Sequence, residues 1–302
     1  MQQFKGQTIQ PVFAPAKVNI HLTVKDRRPD GFHDLESIFL AVDFGDTLKF
    51  ELLECDNSAE ICMEGLDFSI PAQENIIFRS LCLFREKTGF SRGIKITAEK
   101  RIFAGSGLGG GSSNAAAVLL TLNKIAGSPL SRETLLEMAA VLGSDVPFFI
   151  HETAAAIITG RGDKIEPVKC PSLHLVLVYP GFSSDTAAAY RLLDDYRAGK
   201  NHPNDSMPLD LSAVRAGCAW FAEESGFFKN DFLEVFLQRE MTIYSELLSA
   251  LLELGACFTG LSGAGSACFG IFKESQQAQK AAYALRSRWK HTEHCRSLSE
   301  QY

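Results

Sequence analysis

Gly105–Asn114 reads GSGLGGGSSN, and AAAVLLTLNKIAG follows at once over Ala115–Gly127. Five of those ten residues are glycine, so the backbone can turn sharply, take positive φ and approach a ligand closely. Ser112, Ser113 and Asn114 stand where N-cap residues belong, ahead of a helix predicted over Ala115–Ile125. A loop that empties into a helix N-terminus presents unpaired N–H groups and the positive end of the helix dipole, which favours an anion. The stretch therefore reads as a seat for the phosphates of a nucleoside triphosphate. A flexible linker is the bland alternative, but a linker is not followed so tightly by an apolar helix.

Two common nucleotide loops do not fit. Gly105, Gly107 and Gly110 satisfy GxGxxG, yet that fingerprint wants a buried parallel strand before it and an acidic residue about 20 positions later. Here the preceding IKITAEKRIFA is polar at alternate positions, and the chain enters another helix near residue 130. A Walker loop needs GKS or GKT after the glycines, and the sequence has neither.

The chain has 302 residues, a length that suggests about two domains. With 46% hydrophobic and 22% charged residues it can bury a sizeable core. The net charge of −6 and the lack of a long basic run argue against nucleic-acid binding. A polyanionic substrate would have to be held by local positive features. None of the eight cysteines forms CxxC or joins histidines at zinc-ligand spacing, so reduced thiols are expected. The first residues lack a charged region followed by an apolar one, and no apolar run reaches membrane-span length. A cytoplasmic protein with no membrane partner is expected, as a monomer or weak homodimer.

The first strand is expected over Ala14–Val24, where Val18, Ile20, Leu22 and Val24 alternate with Lys17, Asn19, His21 and Thr23. Lys17 and Asn19 then project side by side, roughly 7 Å apart. A solvated sheet face is the expectation for His21 and Thr23; for Lys17 and Asn19 the spacing leaves solvated and functional readings equally open. Pro29-Asp30-Gly31 is turn chemistry, and Phe32 and His33 leave it together. They could grip a base, or Phe32 could anchor the loop. Strands are expected at Ile38–Val42 and Thr47–Leu53, joined through residues 43–46, with 54–74 mixed and polar. A helix is expected from Ile76 to Lys87 after Asn75, then a strand at Gly93–Ala98. The helix after the glycine loop should stop at Gly127, and Ser131 should cap another running to Leu142. Asp145, just ahead of Pro147, reads as the plain N-cap of a short helix.

Further strands are expected at Ala154–Thr159 and His174–Tyr179, with a domain boundary near residue 160. A helix over Thr186–Arg197 precedes a polar loop, 198–210. A long helix over Phe232–Leu254 carries an apolar stripe of Leu237, Met241, Tyr244, Leu248 and Leu251. A second glycine turn, GLSGAGSACFGIF, leads to a strand over Ala267–Phe272. Strands and helices intersperse without a regular βαβ rhythm, so the class is α+β.

APAKVN near the start, GSGLGGGSSNAAA in the middle and GLSGAGSACF near the end resemble the three motifs of the GHMP kinase superfamily. PAKVN, DGFH, VDFGD, LGSDVPFF and ITGRGD narrow the resemblance to the 4-diphosphocytidyl-2-C-methyl-D-erythritol kinases, over most of residues 14–272. The resemblance implies a two-domain GHMP kinase fold with its active site in the cleft between an ATP-binding domain, 1–160, and a substrate-binding domain, 161–302. It makes Lys17 and Asp145 the catalytic pair. ATP would lie on Phe103, Ala104, Gly105, Ser106, Gly107, Leu108, Gly109, Gly110, Gly111, Ser112 and Ser113, with Asn75 and Ile76 near the adenine. Asn19, Phe32, His33, Thr186, Tyr190, Gly263 and Gly265 would hold the substrate: Phe32 stacks on cytosine, His33 bonds its polar edge, and Thr186 and Tyr190 close the pocket. The family normally has Tyr at Phe32, so the ring face is kept and a hydroxyl lost. At Phe103-Ala104 the family often has Pro and a bulkier apolar residue.

The implied reaction moves the γ-phosphoryl group of ATP to the 2-hydroxyl of a cytidine diphosphate methylerythritol, a step towards isoprenoid precursors. Asp145 would accept the hydroxyl proton. Lys17 would keep Asp145 ionised and offset charge on the moving phosphoryl group. Mg²⁺ is the implied cofactor, with the Ser112 or Ser113 hydroxyl as a candidate ligand. Other GHMP kinases, acting on homoserine, mevalonate or a sugar, share the loop but have no need of Phe32, His33 and Tyr190. A non-catalytic nucleotide-binding module would have been free to lose Lys17 or Asp145.

Overall fold

A computed structural model describes residues 9–66, 71, 73–200, 211–215, 228–239 and 241–299. The chain forms two compact units that interleave in sequence. One holds the chain up to Ala16, Gly45–Ile102 and Gly109–Glu152; the other holds Lys17–Phe44, Phe103–Leu108 and the chain from Thr153 onward. Strands β1 (Val12–Arg27) and β2 (His33–Leu53) contribute residues to both. The two strands expected at 38–42 and 47–53 are thus one. Residues 43–46, expected to join two strands, lie within one, and Phe44 and Asp46 are buried. Gly45 keeps the strand running, because a Cβ there would fall 2.3 Å from the Ala14 carbonyl oxygen.

In the first unit, β3 (Ala59–Gly65) pairs parallel with β4 (Gly93–Lys100), which pairs antiparallel with residues 47–53 of β2. Strand β3 lies in the segment that reads as merely polar. Helix α1 (Ile76–Thr88) is capped by Asn75, whose side chain accepts from the Ile77 N–H. Helix α3 (Arg132–Leu142) is capped by Ser131 and stopped at Gly143, as expected. Helix α2 (Gly110–Ile125) packs against α1, α3 and α4 (Val146–Ile150). Neighbours on several sides explain why AAAVLLTL is apolar almost all round.

Helix α2 starts earlier than the sequence suggests. Its N-cap position is Gly109, in the left-handed region at φ 72°, so Ser112, Ser113 and Asn114 lie inside the first turns and are not caps. Asn114 has another task. Its amide donates to Asp46 Oδ2 at 3.0 Å, while its carbonyl accepts from Lys100 Nζ at 2.7 Å. Lys100 also pairs with Asp46, and Asp46 Oδ1 accepts the backbone N–H groups of Arg101 and Ile102. All three side chains are buried. Burial pushes the Lys100 pKa down, against the opposing pull of Asp46.

In the second unit, residues 35–40 of β2 pair with β5 (Ala155–Gly160), which continues to β6 (Lys164–Val168). A separate antiparallel sheet has the order β10-β7-β9-β8, from β7 (His174–Tyr179), β8 (Phe258–Leu261), β9 (Cys268–Phe272) and β10 (His291–Arg296). Helices α5 (Thr186–Lys200), α6 (Leu211–Arg215), α7 (Asp231–Gln238), α8 (Thr242–Glu253) and α9 (Ser275–Leu285) complete it. The expected loop over 198–210 falls partly on α5, and its residues 201–210 lie outside the described ones.

The single helix expected over 232–254 is two helices. Met241 takes a non-helical ψ of 73°, which lets Phe236 stack on Tyr244 with ring centroids 5.5 Å apart. The buried stripe is accordingly Phe236, Tyr244, Leu247 and Leu251, and Leu237 is exposed. His21 and Thr23 are also buried, against the expectation of a solvated face. His21 Nδ1 accepts from the Lys229 N–H, and its Nε2 bonds Thr23 Oγ1 at 2.9 Å, so both nitrogens are satisfied without water. The seven cysteines among the described residues are free thiols, and no described helix is long and apolar enough to cross a membrane.

Two predictions follow from burial. Lys100→Met leaves the Asp46 charge buried without its cation and should cost about 3–5 kcal/mol in urea unfolding; a loss below about 1 kcal/mol would contradict the network's role. The second concerns His294, next to His174 on the adjoining strand with ring centroids 6.2 Å apart. His174 Nδ1 and His294 Nε2 are buried with no partner among the described residues. Burial first, then His174, lowers the His294 pKa, while Asp43 opposes. Because the folded pKa lies below the unfolded one, protons bind preferentially to the unfolded state as pH falls through about 6.5. Amide protection of β10 should therefore weaken from pH 7 to 5, and less in His294→Gln; equal weakening in both proteins would refute this source.

Candidate active site

The glycine loop is held by its carbonyls. Ser106 Oγ donates to the Phe103 carbonyl, and Ser183 Oγ to that of Ala104. The Gly105 carbonyl accepts from the N–H groups of Ser184 and Ser266, and the Ser106 carbonyl from that of Ala267. Ser262 Oγ donates to the Gly107 carbonyl at 2.9 Å, and the Lys17 N–H to that of Leu108 at 3.0 Å. Close approach is obligatory at Gly107: its φ is +77°, and a Cβ would sit 2.0 Å from the Ser262 carbonyl oxygen. Phe103 anchors the start of the loop, stacked on Tyr179 at 4.1 Å with His291 against its edge.

The amides are the opposite case. From Gly105 to Ser112 no backbone N–H donates to an acceptor among the described residues. The last of these, at Gly110, Gly111 and Ser112, belong to the first turn of α2, where the helix dipole adds its positive end. Carbonyls tied back and amides left free make a nest for an anion with several oxygens. Ser113 Oγ is buried and has no hydrogen-bond partner among the described residues. Among the described residues no group of three or more His, Cys, Asp or Glu could hold a metal ion.

Lys17 and Asn19 stand on β1 beside the loop. Both are buried, and Lys17 Nζ donates to Asn19 Oδ1 at 2.7 Å while lying 4.7 Å above the Phe39 ring. Asn19 passes its amide to Ser37 Oγ at 3.0 Å, which fixes the carboxamide's direction. Gly263 completes the group: a Cβ on it would lie 3.4 Å from the Gly107 carbonyl oxygen and 3.6 Å from Asn19 Oδ1. Gly265, at φ +85°, continues that turn. Asp145 belongs to the other unit, half-buried ahead of α4. It occupies the N-cap position of α4, as expected, with Pro147 in the first turn, but its side chain makes no capping bond.

The expected base-binding residues divide. His33 stacks on Tyr190 at 5.4 Å; its Nδ1 donates to the Lys25 carbonyl at 2.8 Å, and its Nε2 lies 3.3 Å from Asp194. Both ring nitrogens are therefore already engaged. Tyr190 in turn meets Phe232 edge-on. Thr186 is exposed one turn before Tyr190 on α5. Phe32 is 54% exposed and carries the Arg161 guanidinium over its ring at 3.7 Å. Asn75 is occupied with capping, and its neighbour Ile76 lies beside Gly111.

Sequence reasoning missed Ser183, Ser184, Ser262 and Ser266, which hold the loop, and Asn230, which caps α7 and donates to the carbonyls of Leu261 and Gly263. It also missed Asp231, which accepts from the Val24 N–H and pairs with Arg197 and Lys229. Of these only Asn230, an Asn ahead of an apolar helix, carries a legible signal.

The GHMP kinases N terminal domain matches residues 75–153, and the GHMP kinases C terminal domain matches 219–291. A 4-diphosphocytidyl-2-C-methyl-D-erythritol kinase from Treponema pallidum subsp. pallidum is 37% identical over 280 residues, covering 91% of this chain and 94% of its own. A crystal structure of 4-(cytidine 5'-diphospho)-2C-methyl-D-erythritol kinase matches with a TM-score of 0.79 at 32% identity, over 96% of this chain and 100% of that one. Homoserine kinase from Cytophaga hutchinsonii, at 19% identity and a TM-score of 0.70 over 100% of this chain and 97% of its own, shares the fold alone. With its α+β architecture and both domain matches, the chain belongs to the 4-diphosphocytidyl-2-C-methyl-D-erythritol kinase family of the GHMP kinases.

Proposed function

We propose that this protein transfers the γ-phosphoryl group of ATP to the 2-hydroxyl of 4-diphosphocytidyl-2-C-methyl-D-erythritol, in the methylerythritol phosphate route to isoprenoid precursors. The observation that carries the donor half is the loop whose carbonyls are tied back while its amides from Gly105 to Ser112 have no acceptor among the described residues. The names of the relatives support the acceptor. The two family matches support a division near residue 160 into ATP-binding and substrate-binding domains, although Lys17–Phe44 and Phe103–Leu108 group by contact with the later half of the chain.

The 2-hydroxyl is a poor nucleophile until it gives up its proton. Asp145 takes that proton as the new O–P bond forms, which requires its carboxylate within about 3 Å of the hydroxyl. Lys17, held in one direction by Asn19, offsets the charge that gathers on the transferring group. The loop amides keep the triphosphate in line, since phosphoryl transfer depends chiefly on positioning and electrostatics. Mg²⁺ bound with the nucleotide would neutralise phosphate charge. The Ser112 hydroxyl and the Ser113 hydroxyl, which has no partner among the described residues, suit that ion, which takes few protein ligands and keeps the rest from phosphate and water. On the acceptor side Phe32 stacks the cytosine, and Tyr190, Thr186 and His33 shape the pocket around it.

Purified protein with Mg-ATP should release ADP when given the cytidine diphosphate methylerythritol, and not with homoserine or mevalonate. Background-level ADP with that substrate would sink the proposal. Asp145→Asn should lower turnover about 10²- to 10⁴-fold while nucleotide affinity stays within about twofold; near-normal turnover would remove Asp145 from the role of base.

A further inference from the structure

Arg161 differs from nine of the other arginines. Arg27, Arg28, Arg85, Arg132, Arg197, Arg215, Arg286, Arg288 and Arg296 all donate side-chain hydrogen bonds. The Arg161 guanidinium donates none to the described residues, and its nearest carboxylate, Asp30, is 4.0 Å away. Five N–H donors are thus unspent on a residue whose backbone is set firmly in place. Arg161 occupies the β5–β6 turn between Gly160 and Gly162, at φ +67° and +97°. Its own N–H donates to Asp163 Oδ1 at 2.8 Å.

Its guanidinium lies over one face of Phe32, 3.7 Å from the ring centroid. Phe32 is fixed as well: its N–H donates to Asp30 Oδ1, and its carbonyl accepts from the Arg28 N–H at 2.7 Å. A stacked guanidinium keeps its in-plane donors at the rim, where they match two oxygens of a phosphate. The ring remains 54% exposed despite the cation, which leaves apolar surface for a base. The same two turns wall a cleft of about 280 Å³ whose lining sets Lys25, Arg28 and Lys164 against Asp34 and Asp163.

We propose that Phe32 and Arg161 act as one reader of a nucleoside diphosphate ester, the ring stacking the base and the Arg161 fork taking a diphosphate oxygen of the acceptor. The inference deepens the function proposed above and rests on it. Arg161 is then a substrate-binding residue that selects acceptors carrying a phosphate next to an aromatic base. It takes no part in the transfer itself.

The test compares binding of cytidine and CDP to the full chain and to Arg161→Ala and Arg161→Lys, with KM and kcat for the cytidine diphosphate methylerythritol. Arg161→Ala should weaken CDP about tenfold and cytidine less than about twofold. It should raise the acceptor KM about tenfold while kcat and the KM for ATP hold. Arg161→Lys should fall between, because it keeps the charge and loses the fork. Equal weakening of cytidine and CDP would mean that Arg161 merely props the ring, and an unchanged KM would remove it from recognition; both overturn the inference and leave the kinase reading standing. No turnover by the unaltered protein would overturn the kinase reading, and this inference with it.

Discussion

Each carbonyl from Phe103 to Leu108 is held by a protein donor, and that constraint leaves the loop amides to a ligand. An anion site made of backbone is only as good as its rigidity, because freed peptides would turn their carbonyls to the phosphates as readily as their N–H groups. Apart from Ser106, which bonds Phe103 within the loop, the donors are Ser183, Ser184, Ser262, Ser266, Ala267 and Lys17, all far from the loop in sequence. The fold of the second unit is thus a prerequisite for the loop. The Lys17 backbone shares in this duty, so a residue proposed for catalysis also braces the proposed phosphate seat.

Beyond Leu108 the chain passes to the first unit, where α2 needs its own anchor. Asp46 supplies it, with two oxygens that accept from Arg101, Ile102, Asn114 and Lys100. A buried ion pair of this kind adds little net stability over an apolar substitute but tolerates no loss of one member. It specifies where the helix begins. The N–H groups at Gly110, Gly111 and Ser112 gain their electrostatic value from that fixed start.

What could be read in advance follows from how local each signal is. Glycines at 105, 107 and 109 mark positive φ whatever surrounds them, and Ser131 and Gly127 mark helix ends by short-range chemistry. Lys17, Asn19 and Asp145 are legible as types in a pattern, and the resemblance to a family gave that pattern its meaning. The failures are all tertiary. Residues 43–46 read as a connection between two strands but continue one strand, with β1 lying close against Gly45. His21 and Thr23 look solvated until Lys229 comes to meet them. The serines that hold the loop carry no signal, since a hydroxyl's role depends on what the fold sets beside it. Helix α9 and strand β10 escaped notice because their segment matches no motif.

The central claim concerns one bond: phosphorus joined to the oxygen on carbon 2 of the methylerythritol unit. That carbon bears a methyl group and no hydrogen, so proton-coupled phosphorus NMR of the purified product gives a direct answer. The account predicts a new phosphomonoester signal without three-bond coupling to a carbinol proton, beside the retained diphosphate signals. A doublet or triplet, from phosphorylation of a secondary or primary hydroxyl, would contradict it.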